Sequence, residues 1–399
     1  MFRTLDDLDP GRVLVRVDLN SPVEDGEPRD NRRFERHART VRELAGMGCA
    51  VALLAHQGRP GREDFVSLEG HAAILESHLD RPVSFVPDTY GEAALGAIRD
   101  LDPGEVLLLE NTRMTEDELP ERPPEEHAES AFVRTLAPEF DAYVNDAYSA
   151  AHRAHASLVG FPPRMDAYAG RVMADEYAFN TAVAEREFDG PVTMVCGGNK
   201  SEDVIDVIEA LGDRVDTFLV GGLPGELFLR AAGHPVGSDV GGTDLLDDQW
   251  EETSDTLEAL LAERDDGIEL PVDLAYEGAD GERAEVRVAE IEGKTAPFLD
   301  VGAETVEAFA PAVRESAAVF VKGALGVFED ERFADGTVGV LEAIAGSDCF
   351  SVVGGGDTSR AIDRYGLDPG DYDHVSIAGG AYLRALTGEP LPAVEALRR

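Results

Sequence analysis

The chain has 399 residues, too many for one ordinary hydrophobic core and enough for two domains. It carries 80 Asp and Glu against 35 Lys and Arg, a formal net charge of −45, yet 43% of its residues are apolar, so packed interiors are expected and disorder is not. An acidic surface of this strength repels nucleic acid and anionic lipid, which argues against either as a partner.

The acids are dispersed, as at Glu202, Asp203, Asp206 and Glu209, and read as a solvated surface whose self-repulsion needs high salt for screening. Lysine is nearly absent: Lys200, Lys294 and Lys322 are the only three. Cys49, Cys196 and Cys349 lie far apart, in or beside apolar runs, and are expected to be buried free thiols. The opening residues MFRTLDDLDP hold no apolar signal region, and no run approaches membrane-spanning length, so a cytoplasmic location is expected.

The first strand is expected over 12–19, ending in Asp18 and Asn20, and a helix over 33–48. The next strand, 50–55, runs into His56, Gly58 and Arg59. Strand 105–110 runs into Asn111 and Arg113. Strand 142–146 ends in Asn145 and Asp146 and is followed by His152, Arg153 and His155. From Ala169 to Glu187 the pattern reads as one long helix. A new strand series then begins, at 191–196, 217–221, 318–323 and 349–354. Helix 201–212 places Val204, Ile205, Ile208 and Leu211 on one stripe. Residues 256–288 break the alternation and suggest an antiparallel insertion. The whole argues for an α/β protein of two doubly wound, mostly parallel sheets covered by helices, joined by a long helix.

Open parallel sheets bind ligands at the carboxyl ends of their strands. In the first half those ends collect cations, with Arg33 opening the helix after the first strand. Arginine's planar fork suits phosphate and carboxylate oxygens; any single arginine taken alone is better explained by a surface ion pair, and only the set in equivalent positions weakens that reading. His152 and His155 are spaced for a metal, but no further ligands complete a site. In the second half, glycine clusters occupy the strand ends: CGGNK (196–200), VGGLPG (220–225), VKGALG (321–326) and VGGGDT (353–358). Such glycines permit close backbone approach to phosphate, or simply make tight turns. Two of the three lysines, Lys200 and Lys322, fall inside them. Asp357 is a candidate for Mg²⁺ or for a helix cap.

DLN (18–20), NRRF (31–34), AHQGRP (55–60), LENTR (109–113), VNDAYSAAHRAHAS (144–157), GVFE (326–329) and GGGDT (354–358) together resemble the phosphoglycerate kinase family, in its haloarchaeal branch. The resemblance spans nearly the whole chain. It implies a phosphoglycerate-binding domain over 1–170, a connecting helix over 171–189 and a nucleotide-binding domain over 190–377. It also implies a segment of about 378–399 that packs back on the first domain, and a cleft that hinge closure narrows. Asp18, Leu19, Asn20, Arg33, His56, Gln57, Gly58, Arg59, Arg113 and Arg153 would bind the phosphoglycerate. Lys200, Lys322, Glu329, Gly355, Gly356, Asp357 and Thr358 would bind ATP or ADP, with Asp357 toward Mg²⁺. Arg33 and Lys200 would flank the transferring phosphoryl group. A monomer using 3-phosphoglycerate or 1,3-bisphosphoglycerate is expected. Two positions depart from the family pattern: Val204 stands where a second lysine is usual, and Lys322 where an asparagine is usual. Lys322 either replaces the missing cation or is a solvated neighbour.

Overall fold

Strands apolar on both faces build a six-stranded parallel sheet in each half of the chain. The computed structural model describes residues 2–237, 241–264 and 266–398, and contacts divide it into two units, Met1–Ala178 with Pro390–Arg399, and Phe179–Glu389.

The first unit contains β1 (Arg12–Arg16), β2 (Ala50–Leu54), β3 (Val83–Phe85), β4 (Val106–Leu108), β5 (Ala142–Asn145) and β6 (Ala167–Ala169). Their order across the sheet is β3-β4-β2-β1-β5-β6, with every pair parallel. Val13, Leu14 and Val15 on the inner strand β1 have no exposed surface, and burying each contributes about 1.5–3 kcal/mol. The chain leaves β1 for β2 on one side and later returns to β5 on the other. The order therefore reverses between β1 and β5, where such sheets bind ligands. Helix α1 (Arg32–Gly46) starts where the Asn31 side chain accepts the Arg33 N–H at 2.9 Å. Phe34, Ala38, Val41 and Leu44 form its buried stripe.

The long helix expected over 169–187 is corrected at both ends. Ala169 still belongs to β6, paired with Asn145; helix α2 covers Arg171–Asn180, and a separate short helix covers Ala182–Glu185. The start of α2 is fixed by a residue distant in sequence, because Asp146 Oδ1 accepts the Val172 N–H at 2.9 Å. At the other end, the Asn180 side chain donates to Ser376 Oγ at 3.2 Å. The Thr181 carbonyl then begins the next turn by accepting from Ala184 and Glu185. The terminal helix Pro392–Leu397 packs on the first unit, whereas helix Gly380–Leu386 groups with the second, so the segment grouping with the first unit begins at Pro390, not at 378.

The second unit runs β7 (Val192–Cys196), α3 (Ser201–Leu211), β8 (Thr217–Val220), α4 (Gly222–Ala231), α5 (Asp244–Glu263) and β9 (Ile268–Glu269). It continues through β10 (Asp273–Glu277), β11 (Arg283–Arg287), β12 (Phe298–Val301), β13 (Ala318–Lys322), β14 (Phe350–Gly354), α6 (Gly356–Tyr365) and β15 (His374–Val375). The parallel sheet has the order β9-β8-β7-β13-β14-β15, so its switch point lies between β7 and β13. The antiparallel expectation for 256–288 holds only in part. Residues 256–263 finish α5 and β9 adds a parallel edge strand; the antiparallel sheet β11-β10-β12 begins at Asp273. Cys49 and Cys196 are buried free thiols, while Cys349 is half-buried with its sulfur 3.0 Å from Ser347 Oγ. Among the described residues no helix is long and apolar enough to cross a membrane.

Burial in the first unit lowers His71 and His155 to about 4. The unfolded chain takes up a proton at each near pH 6.5, whereas the fold resists until about pH 4. The stability conferred by these neutral imidazoles is whole above about pH 6.5 and is lost as pH falls through that window, on the order of 3 kcal/mol each. In molar KCl the unfolding midpoint should decline from pH 6.5 toward pH 4, with a shallower slope in His71→Gln. An identical slope in that variant would remove His71 from the account.

Candidate active site

Asp18 leaves β1 at the switch point of the first sheet and is 3% exposed. Its Oδ1 accepts the Asn20 N–H at 3.0 Å, Oδ2 accepts the Ser149 hydroxyl, and Arg33 Nε lies 3.5 Å from Oδ2. Burial alone would raise this carboxyl. The positive charge of Arg33, with the Ser149 hydroxyl, outweighs it and holds Asp18 well below the carboxylate range. Arg33 is also fixed through Nη1, which donates to the Asn20 carbonyl at 2.7 Å.

The His56 tautomer follows from its neighbour. Arg16 Nη2 can only donate, and it lies 2.9 Å from His56 Nδ1, so Nδ1 accepts and the proton sits on Nε2. Burial, with Arg16 next, pushes the imidazole well below its usual value, leaving a neutral ring whose Nε2–H is a donor. Arg113 is 6% exposed. Burial, then the nearby Arg153 and Arg16, lowers it to about 10. Arg153 is lowered by burial and by Arg59. The Arg113 Nε is buried without a hydrogen-bond partner among the described residues. Guanidinium groups that depress one another around a single carboxylate are chemically suited to an anion bearing several charges.

Two expected ligands play a different part. The Gln57 side chain has no exposed surface: Oε1 accepts from Ser21 N at 2.9 Å, and Nε2 donates to the carbonyls of Ser21 and Asp64. It ties the loop after β2 together. Leu19 is likewise wholly buried. Gly58 contributes backbone: its N–H donates to Asn20 Oδ1 at 2.9 Å and its carbonyl accepts from Arg113. Its φ of +61° and the close Asp64 carbonyl exclude a side chain. Arg59 is exposed.

Arg16 and His37 escaped the sequence reading, and the partners of Asp146 and Asn111 did too. Arg16, the last residue of β1, is 1% exposed; a charge directly after the apolar run Val13–Val15 was the available signal. His37 lies one turn after Arg33. Its Nδ1 is 2.7 Å from Asp146 Oδ2, and its Nε2 accepts the Asp18 N–H at 3.3 Å. Asp146 caps α2, so one buried pair links β1, α1, β5 and α2. The Asn111 side chain accepts from the N–H groups of Gln57 and Arg113.

In the second unit the glycine clusters interlock through backbone. Gly197 N donates to the Lys322 carbonyl at 2.8 Å, Gly198 N to Ala324 at 2.7 Å, and Gly222 N to Leu325 at 3.0 Å. A Cβ at Gly197, Gly222 or Gly323 would collide with these neighbouring backbones, so close packing explains them. Lys322 ends β13 opposite Cys196, with Nζ 3.1 Å from Asp203 Oδ2. Lys200 is exposed at the start of α3. Gly355 precedes α6 with φ of +98°. Gly356 and Asp357 are exposed in its first turn, while Thr358 is 1% exposed and turns its hydroxyl back to the Gly354 carbonyl at 2.5 Å. Arg360, also unforeseen, contacts Asp357 at 2.6 Å and Glu329 at 3.2 Å. Among the described residues no group of three or more His, Cys, Asp or Glu side chains forms a metal site.

A family model described as phosphoglycerate kinase matches residues 4–389. The chain belongs to the phosphoglycerate kinase family. A phosphoglycerate kinase of Halorubrum lacusprofundi is 71% identical over 397 residues, covering 99% of this chain and 98% of that one. One of Haloarcula marismortui is 65% identical over 399 residues, with both chains covered in full. The crystal structure of phosphoglycerate kinase from Pyrococcus horikoshii superposes with a TM-score of 0.91 at 34% identity, covering 100% of this chain and 98% of that one. Of the two departures from the phosphoglycerate kinase pattern, Val204 has no exposed surface and belongs to the apolar stripe of α3. Lys322 is the ion-paired partner of Asp203.

Proposed function

We propose that the chain transfers a phosphoryl group reversibly between 1,3-bisphosphoglycerate and ADP, giving 3-phosphoglycerate and ATP, in the cytoplasm of a salt-adapted cell. The observation that carries this reading is the set of basic groups gathered about Asp18 at the β1/β5 switch point, Arg33, His56, Arg113 and Arg153, with Arg59 close enough to depress Arg153. A bare carboxylic acid would not need so many arginines; one bearing a phosphate would. Asp18 and Asn20 would accept from or position the substrate hydroxyl, the outer arginines would hold its phosphate, and Arg33 would face the reacting carboxylate.

The second unit would bind the nucleotide. Glu329 would accept from the ribose, and the first-turn N–H groups of Gly356 to Thr358 would face phosphate, as helix N-termini do. Lys200 and Lys322 would add point charges. Asp357 suits Mg²⁺, which commonly binds through one or two carboxylates plus substrate phosphates. When bound, Mg²⁺ would neutralise phosphate charge. The single chain carries every residue invoked, consistent with a monomer.

No general base is required. The acceptor carboxylate is ionised at neutral pH and attacks the γ-phosphorus of ATP; the bond to the β-bridging oxygen breaks and ADP leaves with those electrons. The residues position and neutralise charge in an in-line transition state. In molar KCl with Mg²⁺-ATP, 3-phosphoglycerate should exceed glycerate and acetate by at least about a hundredfold in kcat/KM, as expected where charged partners would otherwise be left unpaired. Equal turnover of glycerate, or no turnover of 3-phosphoglycerate by folded protein, would overturn the assignment.

A further inference from the structure

The basic groups of the first unit come from different strand ends: Arg16 from β1, His56 after β2, Arg113 after β4 and Arg153 after β5. One carboxyl side chain links those ends, and the reaction as proposed above does not use it. Glu118 lies in the loop after β4 and has no exposed surface. Its Oε1 accepts the Ser157 hydroxyl at 2.7 Å and the Thr112 hydroxyl at 3.2 Å. Its Oε2 accepts the Ser157 N–H at 2.8 Å, and its backbone carbonyl accepts the Ala156 N–H at 3.3 Å. Thr112 directly precedes Arg113, and Ser157 lies in the short helix Ala156–Val159 that follows Arg153. Both arginine-bearing loops are therefore tied to one carboxylate. Burial, Arg153 and Arg16 lower Arg113, and of the two charges that oppose them Glu118 outweighs Asp18.

The Ser157 hydroxyl carries the link onward. A carboxylate only accepts, so this hydroxyl points its proton at Glu118 and its lone pairs at Arg16 Nε, 2.8 Å away. Arg16 Nη2 in turn donates to His56 Nδ1 at 2.9 Å. Every proton in the series Glu118, Ser157, Arg16, His56 thus has one place, and His56 Nε2–H is left as the free donor. A neutral amide at 118 would offer Ser157 a donor as well as an acceptor, and would compete with Arg16 for the hydroxyl oxygen.

We propose that Glu118 is a positioning residue of the phosphoglycerate site, holding the loops of Arg113 and Arg153 in register and, through Ser157 and Arg16, fixing His56 as a donor to the substrate. The inference rests on the first unit being the one that binds phosphoglycerate. Positioning and plain charge have opposite signs here. A buried anion that merely tempered the arginines would weaken an anionic substrate, so removing it would tighten binding. Removing a group that aligns the arginines and His56 loosens binding instead, although the site becomes more positive.

Dissociation constants for 3-phosphoglycerate and for Mg²⁺-ADP, measured by titration calorimetry in molar KCl, test the assignment. Misfolded protein lowers the stoichiometry of such a titration and leaves the dissociation constant of the folded fraction unmoved. Glu118→Gln keeps the size and an acceptor for the Ser157 N–H but removes the charge. It should loosen 3-phosphoglycerate by about ten- to a hundredfold, as small misplacements at a site do, with Mg²⁺-ADP within about twofold. Ser157→Ala cuts the link to Arg16, leaves the Glu118 charge in place and should loosen 3-phosphoglycerate too; it carries the test if Glu118→Gln does not fold. The double variant should add less than about threefold to Glu118→Gln, because both changes break one connection. Binding of 3-phosphoglycerate that is unchanged or tighter in either single variant, or effects that multiply in the double variant, overturns the inference. The unaltered chain separates the two levels of argument. If it is folded and does not bind 3-phosphoglycerate, the assignment of the first unit fails; if it binds and the variants match it, only the role of Glu118 fails.

Discussion

Replacing Arg33 with methionine lowers kcat about a thousandfold or more, while the KM for 3-phosphoglycerate changes by less than about tenfold. The expectation follows from how Arg33 is held. It sits in the first turn of α1, its Nη1 donates to the Asn20 carbonyl at 2.7 Å, and its Nε faces the buried Asp18 at 3.5 Å. The guanidinium is thus fixed before substrate arrives, so its charge meets the charge developing in the transition state without reorganisation. On the proposed binding mode, ground-state affinity would be shared with Arg59, Arg113 and Arg153, so losing Arg33 should fall mainly on turnover. Arg33→Lys should recover little, because an ammonium cannot satisfy Asn20, Asp18 and a phosphoryl oxygen from one plane. A methionine variant with kcat within tenfold of the parent would exclude Arg33 from the chemistry.

Lys322→Ala should lower kcat/KM for ATP about a hundredfold, in line with the loss of one cation at a phosphoryl site. Lys322 ends β13 at the switch point of the second sheet, opposite Cys196 of β7, and its Nζ contacts Asp203 at 3.1 Å. At the family's second lysine position Val204 is wholly buried, so no charge is available there. The alanine variant removes a cation and leaves Asp203 as an unpaired negative charge in the same neighbourhood. The double variant Lys322→Ala with Asp203→Asn divides these effects. Full recovery would mean that Lys322 only neutralises Asp203; recovery of less than about tenfold would mean that it supplies charge to the nucleotide. Unchanged turnover and nucleotide affinity in Lys322→Ala would end the replacement idea.

The eight strands expected from apolar runs are present because inner strands of parallel sheets must be apolar on both faces, and that pattern is local. The helix over 33–48 was similarly legible, since Asn31 and the spacing from Phe34 to Leu44 carry its cap and stripe. The short edge strands β3, β6 and β15 were not, being two or three residues long and defined by their partners. The start of α2 also failed to show, because Asp146 caps it from another strand.

For the site, the sequence determined which residue types stand at the carboxyl ends of the strands. Against a net charge of −45, the retained lysines and the gathered arginines were conspicuous. Side-chain assignments within a motif were beyond it. AHQGRP names Gln57 and Arg59 alike, yet Gln57 is spent on holding the loop while Arg59 is exposed. Tertiary structure alone decided that Arg16 fixes the His56 tautomer and that His37 and Asp146 brace Asp18 and α2. The reason is physical: strand and helix identity follow from periodicities a few residues long, whereas hydrogen-bond partners and burial depend on segments that meet only after folding, as Asp18 meets Ser149 across 131 positions.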